Sequence, residues 1–128
     1  MTRILVTDVL DERVLHDLAQ DLGQLAAHRL AKQYGNGLKE QLELLAVATF
    51  DGSVRAVYDT AIDLAVTSAT VGAVALAQTA WTVAQDAVRY RTLPQVETVE
   101  RLMRLAHDTE AALLRRPRTG TPAPGPYG

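Results

Sequence analysis

The chain has 128 residues, 48% of them hydrophobic and 22% charged, with 13 Lys+Arg against 15 Asp+Glu and no cysteine. That length holds one domain with a single core, and the apolar fraction separates it from disordered chains. A formal charge of −2 supplies no basic field for nucleic acid or anionic membranes, and the lack of Cys excludes disulfide scaffolds, thiol catalysis and Cys-ligated metal sites. Arginine outnumbers lysine 11 to 2 and alanine occurs 20 times, the bias of a GC-rich bacterial genome. The segment Met1–Asp8 lacks the apolar run of about 7–15 residues of a secretory signal, so a cytoplasmic location is expected.

In chain order, Ile4–Val6 is too short a strand to stand alone, and the first element is a helix over residues 8–34. Leu15, Leu18, Leu22 and Leu25 recur at three- and four-residue spacing, the pattern of a coiled-coil seam. Asp8 and Asp11 suit its N-terminus, where a side-chain acceptor and a negative charge both help. Tyr34-Gly35-Asn36-Gly37 reads as its stop, because Gly and Asn tolerate the left-handed conformation of helix ends.

A second helix follows over about residues 38–50, with Leu38, Leu42, Leu45, Ala46 and Phe50 on one face. Asp51-Gly52-Ser53 is a break in which Ser53 caps what comes next. From Val54 the helical pattern runs either unbroken to Arg91, roughly 57 Å at 1.5 Å per residue, or breaks near Ser68–Gly72. Thr92-Leu93-Pro94-Gln95 reads as a capping box for a last helix that ends near Arg116. Residues 117–128, rich in Pro and Gly, read as a flexible tail beyond a single helical domain over residues 1–116. The expectation is an all-α bundle of four to five helices with a long Ala-rich central helix.

The segment Leu64–Gln85 carries no charge over 22 residues. Within it Ala65, Ala69, Ala73 and Ala77 repeat every fourth position, extending from Ala61 to Trp81. A ridge of small residues lets another backbone come close. It suits the central helix of a bundle, a self-association face or a membrane span. Thr67, Ser68, Thr70, Gln78, Thr79 and Thr82 in the segment weigh against the last.

Chemistry is sparse. His16, His28 and His107 sit in no Glu-x-x-His motif, so no metal site is expected, and Ser53 and Ser68 lie in no nucleophile elbow. Glycine loops of the phosphate-cradling kind are missing, and no cofactor is expected. Asp59 and Asp63, one turn apart, would form a coupled acid pair if buried together. Residues 89–128 hold seven Arg and four acids, whereas residues 35–88 hold two bases and six acids, an asymmetry that could steer association. A helix-turn-helix over residues 89–116 would turn Glu97 and Glu100 toward phosphates.

These features point to a non-enzymatic protein–protein association module, either a homo-oligomer or a small helical subunit of a larger assembly. Its partner is itself or another helical protein, with contacts at Leu15, Leu18, Leu22, Leu25, Ala65, Ala69, Ala73, Ala77 and Trp81. On this view Ala69→Leu lowers the oligomer's mass or melting temperature through overpacking. Two alternatives are a helical enzyme or ligand binder with a pocket lined by Tyr58, Asp63, Trp81 and Tyr90, and a membrane-associated protein through residues 64–85.

Overall fold

The computed structural model describes residues 9–115. The expected strand at Ile4–Val6, the acid at Asp8 and the tail over 117–128 lie outside that range. The described residues form five helices and no strand: α1 (Glu12–Leu22), α2 (Gln24–Phe50), α3 (Val54–Thr70), α4 (Val74–Tyr90) and α5 (Val96–Arg115).

Two helix starts follow from their caps. The Asp11 carboxylate accepts from the Arg13 N–H at 2.9 Å, and the Ser53 hydroxyl accepts from the Ala56 N–H at 3.1 Å. Each satisfies one of the donors that a helix N-terminus leaves unpaired. The first expected helix is divided at Gly23, whose φ of +88° turns the chain from α1 into α2.

The helix does not stop at Tyr34–Gly37. It runs unbroken from Gln24 to Phe50, because Tyr34, Leu38, Leu42 and Leu45 all lie on its buried face. That burial outweighs the cost of two interior glycines, about 1 kcal/mol each relative to Ala. At Gly35 an added Cβ would lie 4.0 Å from Glu110 Cγ of α5, an ordinary van der Waals contact. At Gly37 an added Cβ would meet nothing within 4 Å.

The Ala-rich segment breaks at Val71-Gly72-Ala73 into α3 and α4, which form the tightest hairpin of the molecule. Gly72 has φ +78°, and its would-be Cβ falls 2.9 Å from the Asp11 carbonyl oxygen and 3.2 Å from Val14 Cβ. Its own carbonyl accepts from the Asp11 N–H at 2.7 Å, so the hairpin turn holds the start of α1.

Helices α2, α3, α4 and α5 close a four-membered ring of contacts, and α1 lies against α2. At 1.5 Å per residue the 27-residue α2 is about 40 Å long and the 17-residue α3 and α4 about 26 Å. The N-terminal part of α2 therefore runs past the hairpin, where α1 and the end of α5 cover it. Leu38, Leu45, Val57, Leu64, Leu76 and Leu102 are fully buried at the centre. The hydroxyls of Thr60, Thr67, Thr70, Thr79 and Thr82 each donate to the carbonyl four residues earlier, satisfying the polar load of the hairpin internally.

Thr92 does not cap α5, which starts at Val96. It closes α4 instead. The Asp86 carbonyl accepts from the Arg91 and Thr92 N–H groups and from the Thr92 hydroxyl at 3.3 Å. Arg91 adopts the left-handed conformation at φ +53° that this ending requires.

Candidate functional site

The expected contact residues fall in different settings. Leu15 is buried and Leu18 half-buried, whereas Leu22 and Leu25 are 50% and 65% exposed on opposite sides of the Gly23 turn. The leucine seam is thus shared between two helices. Ala65 and Ala73 are buried within the α3–α4 hairpin, and the close approach that small side chains allow is made there between helices of one chain. Ala69 is exposed, Ala77 half-buried, and Trp81 is 48% exposed on α4.

Four well-formed grooves among the described residues are lined by none of Tyr58, Asp63, Trp81 and Tyr90. The pocket expected from those four residues is not supported, because Asp63, Trp81 and Tyr90 face solvent and only Tyr58 is half-buried. Asp59 and Asp63 are also exposed, so they do not make a buried acid pair; Asp59 lies 3.9 Å from Arg55 in a solvated ion pair of little energetic weight. No helix of the described residues is long and apolar enough to cross a membrane.

All three histidines are exposed: His16 on α1, His28 on α2 and His107 on α5. Their surroundings differ. His16 is flanked by Glu12 and Asp17, and His107 by Asp108 and Glu110. His28 has Arg29 beside it and Lys32 one turn on, and both His28 and Lys32 border a groove of about 190 Å³ with Gly35, Glu110, Leu113 and Leu114. Among the described residues no three His, Asp or Glu side chains gather as metal ligands would.

A second groove, of about 390 Å³, runs between α2 and α3. Its walls are Gln33, Gly37 and Glu40 on one side and Thr67 and Thr70 on the other, above Tyr34 and Val71. Below it the Tyr34 and Ser68 hydroxyls share a buried hydrogen bond of 2.7 Å. Burial pushes the Tyr34 phenol up to about 12, against a smaller opposing effect of the Ser68 bond. The groove is open at Gly37 because no side chain occupies the space. Sequence reasoning missed it, having read Gly35 and Gly37 as punctuation. The signal present was the four-residue spacing Gln33, Gly37, Gln41, which puts a position without a side chain between two polar ones on one helix face.

The third groove, about 510 Å³ between α4 and the start of α5, is polar, with Asp86 and Arg101 on its walls. The fourth lies at the foot of α1, beside Leu10, Asp11 and Val74.

This helical arrangement has a counterpart of known structure. The bundle resembles a histidine-containing phosphotransfer protein. The crystal structure of protein B of that kind (HptB) from Pseudomonas aeruginosa PAO1 superposes with a TM-score of 0.78, over 85% of this chain and 94% of that one, at 23% identity. At that identity the likeness to HptB shows the fold. No protein-family model matches the sequence, and no curated protein is similar to it.

Proposed function

We propose that this chain is a protein-docking module of the phosphotransfer fold, binding a signalling partner such as a kinase or a response regulator. The observation that carries the reading is the likeness to HptB over nearly its whole length. Exposed apolar side chains on an otherwise well-filled bundle support it: Leu44 and Val47 on α2, Val66 on α3 and Trp81 on α4. Isothermal titration of the purified chain against kinase and receiver domains of its own genome tests this reading. Saturable one-to-one binding supports it; silence from every such domain overturns it.

Self-association is the alternative form of the same activity, with Leu22, Leu25 and Trp81 as its proposed contacts. Light scattering behind a sizing column separates the two, since a mass near 13.9 kDa leaves only a hetero-partner.

A second reading, phosphoacceptor activity at His28, is favoured by one observation, the cation Lys32 on the same groove. With phosphoramidate as donor, the P–N bond breaks and ammonia leaves. The phosphoryl group joins an imidazole nitrogen, and a proton is released. An acid-labile phosphoryl adduct that is absent from His28→Gln supports this reading. Docking without any adduct removes it and leaves the first reading intact.

A further inference from the structure

We propose that the outer face of the α3–α4 hairpin is where a second copy of this chain docks, across a two-fold axis that passes beside Trp81. The inference rests on the self-association form of the docking reading, and moves its contact surface from the junction of α1 and α2 to the hairpin.

Helical geometry defines the face. At about 100° per residue, Ile62, Val66 and Ala69 fall within about 60° of one another on α3, and Ala77, Trp81 and Val88 within about 40° on α4. Other arcs of these helices are turned to their neighbours: Thr67 and Thr70 border the groove toward α2, and Thr82 and Asp86 the groove toward α5. The two apolar arcs share the remaining side of the hairpin. There Val66, Trp81 and Val88 are 57%, 48% and 60% exposed, Ala69 is exposed, and Ile62 and Ala77 are half-buried. The start of α1 borders this side at the turn end, beside Val74, Ala75 and Gln78.

A second copy is the occupant that suits this face. Beside a two-fold axis every group meets its own kind, so a cation or a carboxylate there would be repelled by its copy. No charged side chain occurs from Leu64 to Gln85. Trp81 is flanked instead by Gln78 and Gln85, exposed amides that both donate and accept and can therefore pair with themselves. The charges on these helices stand clear of the centre. Arg55 and Asp59 neutralise one another at the far end of α3. Asp63 lies about 100° round α3 from Ile62, and Arg89 and Asp86 about 80° and 140° round α4 from Trp81. The outer faces of the other bundle helices carry charges along their length, Lys39, Glu40 and Glu43 on α2 and Glu100, Arg101 and Arg104 on α5.

The size is also sufficient. Each hairpin helix is about 26 Å long and about 10 Å across, so the face is about 500 Å² in outline before side-chain relief is counted. A standard interface covers about 800 Å² of accessible surface on each partner. Trp81 sits midway along the hairpin, where a large buried side chain contributes most to association.

Light scattering and the emission of Trp81, the one tryptophan of the chain, are followed together as the full chain is concentrated. A mass of about twice 13.9 kDa with a blue shift of the emission is expected. Trp81→Lys and Val66→Asp are each expected to weaken the dimer about tenfold or more while the single chain stays folded, since both side chains are about half exposed there. The chain has no cysteine, so an introduced thiol links copies at a known position. A short bismaleimide is expected to join Gln85→Cys and to leave Met103→Cys, on α5, as single chains.

A single-chain mass at every concentration up to about 1 mM overturns the proposal and the self-association reading together. A dimer that keeps the solvent-exposed emission of Trp81, tolerates Trp81→Lys, or links through Met103→Cys in place of Gln85→Cys overturns this face alone and leaves self-association standing. A kinase or receiver domain that binds the native monomer and is lost in Trp81→Lys assigns the face to that partner and overturns the second copy.

Discussion

The hydroxyl oxygens of Tyr34 and Ser68 lie 2.7 Å apart in the buried seam between α2 and α3, joining residues 34 positions apart in the chain. The two ends of this bond are not equivalent. Ser68 can turn its hydroxyl back to the carbonyl of its own helix, as the neighbouring threonines do. The Tyr34 phenol has no such recourse. Ser68→Ala is therefore expected to cost about 1–3 kcal/mol and Tyr34→Phe about 1 kcal/mol or less, measured by urea unfolding. Equal costs would show that the phenol finds water.

The same phenol sets an alkaline limit. Burial raises the folded pKa of Tyr34 from 10.0 to about 12, so the folded state holds the proton more tightly than the unfolded chain. The associated stability is complete below pH 10 and is lost as the pH climbs from 10 toward about 12. In chemical denaturation over that window, Tyr34→Phe is expected to show a flatter alkaline decline than the native chain.

Gly72 and Gly23 make a matched pair. Both have positive φ, but a Cβ at Gly72 would strike the Asp11 carbonyl and Val14, whereas at Gly23 it meets nothing within 4 Å. Gly23→Ala is expected to cost about 1–3 kcal/mol for its positive-φ, extended backbone alone. Gly72→Ala should cost clearly more, with loss of α1 helicity visible by circular dichroism.

Thr109 is fully buried on α5, and its hydroxyl has no hydrogen-bond partner. Thr109→Val keeps the shape and removes the unsatisfied group. A gain of about 1 kcal/mol or more in unfolding free energy is expected. A loss would mean that the hydroxyl is hydrated.

Alanine positions separate core from surface. Ala65 is buried against the hairpin and Ala69 is exposed. Ala65→Leu is expected to cost about 1–3 kcal/mol through overpacking. Ala69→Leu should leave the melting curve of a monomer unchanged, so any effect of that substitution reports association with another molecule.

The helical class was legible because each helix carries a three- or four-residue apolar rhythm, and the caps at Asp11 and Ser53 are local events. Gly72 was legible as one of two possibilities. Gly35 and Gly37 misled because a local rule weighs their conformational freedom, and the burial of Tyr34 and Leu38 that holds α2 together is contributed by other helices. Thr92 misled in a similar way: the Asp86 carbonyl six residues earlier competes for its hydroxyl, and no capping motif records that demand. The groove was invisible because it exists only once the register between α2 and α3 is set. Exposure at Leu22, Leu25 and Trp81 likewise depends on which helix covers which.

The contact between Asp11 and Gly72 ties the start of α1 to the α3–α4 turn. The turn is closed by its own hydrogen bonds, from the Gly72 and Ala73 N–H groups to the Ala69 and Ser68 carbonyls, whereas α1 rests on that turn and on α2. Opening is thus one-directional: α1 can lift from the bundle without disturbing the hairpin, while any distortion of the hairpin turn must release α1. Amide hydrogens of α1 would then exchange through two routes and those of α3 and α4 through one, giving the smallest helix the lowest protection in the bundle.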